Sequence, residues 1–399
     1  MIFNESIYNK HWNTKKLNEL GTFNRGKSKH RPRNDLKLFK NGIYPFIQTG
    51  DIKNSILYIS SHTQNYNEFG LAQSKLWNKG TLCITIASNI ADTAVLAYPM
   101  CFPDSVVGFI ANPTESSEIF MHYIFTYIQK YIQNSVIGSI QDNINIDYLQ
   151  NLEFKIPSKE HQEKITLILS TLDKKIELNN KINSELENMA KTIYDYWFLQ
   201  FEFPNDEGKP YKSSGGKMVW NEELKKEIPD GWEVKYIKNY VNVVTGKEDA
   251  NHSSINGKYP FFTCSNDILS CDDYKFEGKA ILIAGNGDFN VKYYDGKFNA
   301  YQRTYVLIPK EEIVGLLYQS TIRTIEKFKT SSSGSIVKFI TKGAVENILV
   351  LDSKNQVNIS IFNELLDKIE KNNKENQELT SLRDYLLPLL MNGQIGFKE

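Results

Sequence analysis

Apolar residues recur along the chain with two different rhythms. In two segments they fall seven apart, and elsewhere they gather in short β-branched runs. Ile165, Leu172, Asn179, Leu186 and Ile193 form one seven-residue series, with Ile168, Ile182, Met189 and Tyr196 as a second position that Lys175 interrupts. Leu365, Asn372, Leu379 and Leu386 form the matching series later in the chain. Ile361, Leu382 and Leu389 accompany it, and Lys368 and Glu375 break that second position. This period predicts two long helices, each with a seam that demands a partner helix. The first is expected from about Glu160 to Leu199, a span of about 60 Å at 1.5 Å per residue. The second is expected to stop near Pro388, whose ring opposes helix continuation. One chain carries both seams, so the partner need not be another molecule, and two such helices side by side make a stiff rod. Asn179 and Asn372 share a register. A buried Asn pair there would give up stability to fix alignment, whereas two solvated asparagines are the plainer alternative.

The two helical segments are copies. Ile176-Glu177-x-Asn179-Asn180-Lys181-x-Asn183-x-Glu185-Leu186 recurs as Ile369-Glu370-x-Asn372-Asn373-Lys374-x-Asn376-x-Glu378-Leu379. Weaker echoes precede each copy in the same order. Trp12 through Arg25-Gly26-Lys27 is matched by Trp232 through Thr245-Gly246-Lys247, and Tyr44-Pro45-Phe46 by Tyr259-Pro260-Phe261. Leu82–Ile86 is matched by Ala280–Ile283, and Gly138-Ser139-Ile140 by Gly334-Ser335-Ile336. Runs such as Val106–Ile110 and Thr304–Ile308, bounded by Gly, Asn and Asp, predict strands. One amphipathic helix is expected in each half, near Ile119–Gln133 and near Glu312–Phe328. Tyr123, Tyr127 and Tyr131 recur every four residues in the first and read as core packing. The chain therefore reads as α+β with a pseudo-twofold internal repeat. Its parts are a mixed globular half at 1–158, a long helix at 159–200, a connector at 201–231, a second half at 232–353 and a second long helix at 354–399.

Composition narrows the class. The 399 residues are 41% hydrophobic and 24% charged, the balance of a globular protein of two or three domains. No apolar run reaches the roughly 18 residues of a membrane span, and Met1-Ile2-Phe3-Asn4-Glu5 does not resemble a secretion signal. Cys83, Cys101, Cys264 and Cys271 form no CxxC pair, so they read as free thiols of a reducing cytoplasm, without a structural metal. Cys264 and Cys271 sharing a metal is the weaker alternative. Lysine plus arginine equal aspartate plus glutamate, which argues against a protein that coats DNA unaided but not against local positive charge.

Catalytic motifs are few. Gly21-Thr22-Phe23-Asn24-Arg25-Gly26-Lys27-Ser28 fits the P-loop formula. The polar stretch before it and His30-Arg31-Pro32-Arg33 after it do not supply the strand and helix that a P-loop needs. A nuclease reading would use Pro103-Asp104 with Glu153-Phe154-Lys155, or Pro229-Asp230 with Glu233-Val234-Lys235, as Mg²⁺-binding carboxylates near a lysine. The first set is far apart in sequence, and the second reads better as a turn entering a strand. No Asn-Pro-Pro-aromatic or Asp-Pro-Pro-aromatic motif of an amino-methyltransferase is present. A P-loop NTPase, a nuclease and a coiled-coil scaffold without DNA specificity remain the competing readings.

The stretch after the first helix is more specific. Tyr194-Asp195-Tyr196-Trp197-Phe198, Phe201-Glu202-Phe203-Pro204, Gly208-Lys209-Pro210-Tyr211-Lys212-Ser213-Ser214-Gly215-Gly216-Lys217-Met218-Val219 and Glu227-Ile228-Pro229-Asp230-Gly231-Trp232 resemble the central connector of Type I restriction-modification specificity subunits. Gly26–Asp35 with Tyr44–Ile52 resembles one class of that family's target-recognition domains. The resemblance covers nearly the whole chain. It implies a non-catalytic, cytoplasmic subunit whose two target-recognition domains each read one part of a split double-stranded DNA site. Two long antiparallel helices, an intramolecular coiled coil, would act as a ruler for the unread spacer and dock two modification subunits. Those would transfer methyl groups from S-adenosylmethionine to adenine N6, and restriction subunits using ATP and Mg²⁺ would join for cleavage. No cofactor is implied in this subunit itself. The second half lacks the Gln48-Thr49-Gly50-Asp51-Ile52 motif, so the half-sites should differ.

Within that architecture the candidate DNA contacts are loop residues. Arg25, Lys27, Lys29, His30, Arg31 and Arg33 lie in a stretch without an acid, suited to phosphate or to bidentate contact with guanine. Gln48, Thr49 and Asp51 follow a strand-like run, where Gln suits adenine and Asp suits cytosine. Ser88 and Asn89 follow another. In the second half Lys247, Ser265, Asn266, Asn286, Gln302 and Arg303 occupy comparable places. Ser335, like the tract from Ser135 to Ser139, offers backbone N–H groups to phosphate. Taken singly, each fits an ordinary turn as well.

Overall fold

The computed structural model describes residues 7–87, 89–137, 144, 146–331 and 339–397, with the backbone alone at 135–137 and 330–331. The chain divides into two compact units. One comprises Met1–Leu178 with Glu375–Glu399, the other Asn179–Lys374.

In the first unit a short ladder pairs Asn13–Lys16 with Glu153–Ile156, bringing the two ends of the globular half together. Between them lie β1 (Gly21–Arg25), β2 (Tyr44–Phe46), β3 (Tyr58–Ile59), β4 (Leu82–Thr85), β5 (Thr93–Leu96), β6 (Met100–Cys101) and β7 (Val106–Ala111). A five-stranded sheet has the order β1-β7-β4-β5-β3. A smaller sheet sets β2 parallel to β6, with Phe46 opposite Cys101. The central strands are buried on both faces, as their unbroken apolar runs require. Helix α1 (Glu118–Ile137) covers the larger sheet, and its Phe120, Met121, Ile124, Phe125, Ile128 and Ile132 enter the core beside Leu82, Ile84 and Phe109. The tyrosine stripe is graded: Tyr123 is buried, Tyr127 is half-buried and Tyr131 is exposed.

The second unit repeats this plan. Glu233–Tyr236 pairs with Leu349–Asp352. Its strands are β8 (Val244–Thr245), β9 (Tyr259–Phe262), β10 (Ile268–Cys271), β11 (Phe276–Ala284), β12 (Val291–Ala300) and β13 (Thr304–Leu307), in one six-stranded sheet of order β8-β13-β11-β12-β9-β10. Here β9 runs parallel to β12, with Phe262 opposite Ala300. Phe198, at the end of the first long helix, and Phe201 and Phe203 of the connector pack around Trp232, with ring centroids 5.2, 5.7 and 5.0 Å away. In the first unit Trp12 meets His161, which in turn meets Phe397 of the C-terminal segment.

The long helices are α2 (Lys159–Tyr194), ending in a wider π-helical turn at Asp195–Leu199, and α4 (Ser360–Met391). Between them in sequence lies α3 (Val314–Ser331), the counterpart of α1. Helix α4 continues through Pro388, which falls in its last turn. The helix ends at Met391, three residues beyond the proline, whose missing N–H forgoes the bond to the carbonyl of Asp384 one turn upstream. The helices pair antiparallel. In the first unit Asp173 meets Arg383 while Lys175 meets Glu375; in the second Asn183 meets Asn372 and Asn373.

Residues 172, 179, 186, 193, 365, 372, 379 and 386 all lie on the covered or partly covered side, as the first seam series requires. The second series is displaced by one residue from the sequence expectation. Leu169, Ile176, Asn183 and Ala190 are buried, whereas Ile168, Ile182, Met189 and Tyr196 are exposed. Likewise Phe362, Ile369 and Leu390 are buried, and Leu382 is exposed. Steps of three and four both fit a heptad, and the larger apolar side chains pointed to the wrong one. Asn372 finds its partner in Asn183, with Nδ2 donating to Oδ1 at 2.8 Å; Asn183 Nδ2 donates to Asn373 Oδ1 at 2.8 Å. Asn179 is itself buried.

Candidate nucleic-acid interface

In each unit a parallel strand pair ends where three loops meet. In the first unit the Ile47 N–H donates to Cys101 O, so Gln48 and Thr49 emerge from β2 beside Phe102-Pro103-Asp104, which follow β6. The strand β1 delivers Arg25, Gly26 and Lys27 to the same end. Gly26 N–H donates to Val106 O at 2.8 Å and Lys27 N–H to Phe102 O at 3.2 Å. A Cβ on Gly26 would sit 2.3 Å from Pro103 O, so only glycine permits this approach. Arg25, Lys27 and Lys29 are exposed, and their side chains have no ion pair among the described residues. Gln73 Oε1 accepts from the N–H groups of Lys29 and His30 and pins the loop backbone.

The rest of the loop is braced by acids, in roles that the sequence reading did not assign to them. Asp104 takes Arg33 Nη2 at 2.6 Å and lies 3.8 Å from Arg31 Nη2. Arg31 Nη1 also donates to Ser28 O and His30 O. Two guanidinium groups are thereby held over one carboxylate, with N–H groups left over for an anion. His30 Nε2 contacts Asp35 at 2.8 Å. The Lys37 backbone N–H, and then His30, hold the Asp35 carboxyl below its usual range. Asp51 accepts the Gln48 N–H at 2.7 Å, which places it in a helix-capping bond. Gln48 Nε2 donates to Gln64 Oε1. Thr49 makes no side-chain bond among the described residues. The carbonyl of Asn89 closes a turn by accepting from Thr85 Oγ1 and the Asp92 N–H. Ser88, Ser335 and Gly138-Ser139 lie outside the described residues.

The second unit brings its candidates together in the same way. Gly246 N–H donates to Thr304 O at 3.0 Å, and a Cβ there would lie 2.0 Å from Ala300 O. The recurring Gly-Lys pair therefore has one physical cause in both halves: the strand end crosses directly over the parallel pair. Lys247 is exposed beside it. Tyr301 N–H donates to Phe262 O, so Cys264, Ser265 and Asn266 emerge next to Gln302 and Arg303. Cys264 Sγ and the Gly285 N–H both reach Arg303 O, and Asn290 Nδ2 donates to Cys264 O. Gly285-Asn286-Gly287 thus joins the cluster. Gln302 Nε2 donates to Asp249 Oδ1 at 2.8 Å, leaving its carbonyl oxygen as an acceptor. The Lys292 amine, its pKa lowered by burial, donates to Ser265 O and holds that loop. Lys247 and Arg303 have no side-chain partner among the described residues.

The two ends correspond position by position, since Gly26 bonds to Val106 as Gly246 bonds to Thr304. Counting back from those strands sets Asp104 against Gln302. The P-loop reading fails: residues 21–25 are themselves a strand, and no α-helix follows before Thr49. The first nuclease set is disposed of by Asp104, which is engaged with Arg31 and Arg33.

These features define an α+β protein of duplicated halves, each presenting a loop-built edge with uncompensated cations and amide or hydroxyl side chains suited to base edges. No helix of the described residues is long and apolar enough to cross a membrane. The family model described as "Type I restriction modification DNA specificity domain" matches residues 9–188 and 229–381. The chain belongs to this family, and its function is DNA recognition as the specificity subunit of a Type I restriction-modification system. The family is generally non-catalytic. The Type I restriction enzyme MjaIX specificity subunit of Methanocaldococcus jannaschii is 27% identical, over 98% of this chain and 95% of its own. The EcoDI specificity subunit of Escherichia coli is 32% identical over 42% of this chain and 40% of its own. In fold, the chain is similar to the S subunit of a Type I system from M. genitalium, with a TM-score of 0.57 at 18% identity over the whole of both chains.

Proposed function

We propose that residues 1–158 and 232–353 are two target-recognition domains that read the two unlike halves of a split, asymmetric double-stranded DNA site. The long helices, residues 159–200 and 354–399, fix the unread spacer, and 201–231 connects the halves. The observation that carries this reading is the recurrence of one loop-built edge with different chemistry. One edge offers Arg25, Lys27, Lys29 and the Asp104-braced Arg31 and Arg33; the other offers Lys247, Asn266, Gln302 and Arg303. Arginine-rich and amide-rich edges favour different bases.

The chain performs no chemistry itself and takes no methyl donor or nucleotide. S-adenosylmethionine belongs to two docked modification subunits that methylate adenine N6, and ATP and Mg²⁺ belong to restriction subunits. Docking is supported by the apolar side chains that pairing leaves uncovered. In the second unit Ile182, Met189 and Tyr196 stand exposed at seven-residue spacing on α2, with Met189 51% accessible. Such a stripe suits a partner helix. A reducing, cytoplasmic setting suits four unpaired cysteines.

The test is domain exchange, read by methylome sequencing of a host expressing the chain with its modification partner. Replacing residues 1–158 by another recognition domain is expected to change one half of the methylated site and preserve the other half and the spacer. A change in both halves would overturn the assignment.

A further inference from the structure

One cluster of metal-ligating side chains lies next to the reading edge of the second unit. His252 closes the turn Ala250–His252, Cys271 ends β10, and Asp273 follows two residues later. One donor atom from each, an imidazole nitrogen, the thiol sulfur and a carboxylate oxygen, lies within 4.8 Å of the other two. It is the one such group among the described residues. His252 Nε2 faces Asp273 Oδ1 at 2.7 Å, and Nδ1 faces Glu248 Oε2 at 3.4 Å. Cys271 is fully buried, and its Sγ lies 3.1 Å from Asp273 O. Asn299 Nδ2 reaches Asp273 Oδ1 at 3.2 Å, while Lys275 takes the other carboxylate oxygen at 3.3 Å.

We propose that His252 Nε2, Cys271 Sγ and Asp273 Oδ1 form a zinc(II) site, with Glu248 holding the imidazole from its far side. A borderline-soft donor set of sulfur, nitrogen and oxygen matches zinc better than magnesium or calcium. Zinc bonds of about 2.0–2.3 Å place neighbouring tetrahedral donors roughly 3.3–3.7 Å apart. The His252–Asp273 contact therefore opens by about half an ångström as the ion enters. Glu248 fixes the tautomer that leaves the Nε2 lone pair for the metal, the usual arrangement behind a ligating histidine. Binding displaces the thiol proton to solvent. The fourth position is left for water.

The segment from Gly246 to His252 carries Lys247 and the Asp249 that holds Gln302. Zinc ties this segment to the end of β10 and so orders the contacts it presents. The ligands escape a sequence reading because a lone histidine stands far from Cys271-x-Asp273, without the paired spacing of familiar zinc motifs.

The experiment uses the full chain, stripped with chelator, dialysed and titrated with Zn²⁺ and separately with Co²⁺. The expected result is one equivalent per chain and, with Co²⁺, thiolate-to-metal charge-transfer absorption. Cys271→Ser and His252→Gln are expected to lose both, and Cys264→Ser to keep both. Glu248→Gln, whose ligands are intact, is expected to bind ten- to a hundredfold more weakly. It also covers the case in which Cys271→Ser does not fold. The proposal is overturned by a wild-type chain that takes up no zinc, by an absorption band that disappears with Cys264→Ser, or by unchanged affinity in His252→Gln.

Discussion

The helix seam of the first unit and that of the second arise from one repeated sequence, yet they are closed by different chemistry. In the first, Asp173 is 1% exposed and accepts from Arg383 Nη1 at 2.9 Å and from the Tyr123 hydroxyl at 2.6 Å. The repeat that sets Ile176 against Ile369 sets Asp173 against Leu366 and Arg383 against Ala190. Those two replacements line a cavity of about 450 Å³ in the second unit, where an asparagine cluster makes the polar contact between the helices. The difference shows how a duplicated chain avoids pairing with itself. Two copies of α2 packed antiparallel would put Ala190 where Arg383 belongs and leave Asp173 buried without a cation. A buried charge that loses its partner costs about 3–5 kcal/mol, so the unlike pairing of α2 with α4 is favoured over a like one. Buried polar groups here specify a partner more than they add stability.

The comparison breaks most readily at Arg383. Arg383→Ala is expected to destabilise the first unit by about 3–5 kcal/mol in urea unfolding, because Asp173 stays buried and unpaired. Asp173→Leu combined with Arg383→Ala copies the second unit and is expected to recover most of that loss. A single variant as stable as the parent would show that water reaches Asp173 and that the pair locks nothing.

Acid provides the next largest effect. His122 lies against this network, with Nδ1 2.9 Å from Thr93 Oγ1. Burial, and then the charge of Arg383, push its imidazole down to about 4. Its folded-state pKa is below the unfolded value near 6.5, so the unfolded chain takes up the proton first. Stability attributable to His122 is therefore complete above pH 6.5 and falls as the pH drops towards 4, by about 3 kcal/mol in all. His122→Gln is expected to flatten the unfolding free energy over that window. An equally steep loss in the variant would assign the acid sensitivity to other groups.

Much of this contrast could be read from sequence, and the unread part has identifiable causes. The repeat, both long helices, the strands near 106–110 and 304–308 and the helices near 119–133 and 312–328 follow from period and turn chemistry alone. The second seam position did not, because Ile168 and Leu169 are both apolar and a step of three competes with a step of four. Burial of Asn183 and Ala190 goes against the rule that seams take large apolar residues, and Ala190, matched by Arg383 in the repeat, is one of the positions that distinguish the two units. At the reading edge, the convergence of Lys27 with Gln48 and of Lys247 with Gln302 depends on parallel pairing between strands remote in sequence. The bracing role of Asp104 was hidden for the same reason: its partners Arg31 and Arg33 meet it only in the folded chain. At Asp51 the folded chain adds a role that spacing did not announce, since one carboxylate oxygen accepts the backbone N–H of Gln48.

The smallest effect comes from an ion pair on the same helices in the same unit. Lys175 Nζ meets Glu375 Oε2 at 3.1 Å, but the two side chains are 43% and 42% exposed. Water screens them in both folded and unfolded chains, and ordering two long side chains offsets part of the attraction. Glu375→Gln is therefore expected to change unfolding free energy by less than about 1 kcal/mol, and by less still in high salt. The pair and the Asp173–Arg383 pair have similar N–O separations and differ chiefly in burial. If Glu375→Gln cost as much as Arg383→Ala, burial would not be what makes the inner pair decisive. The seam's selectivity would then have to come from net charge along the helices.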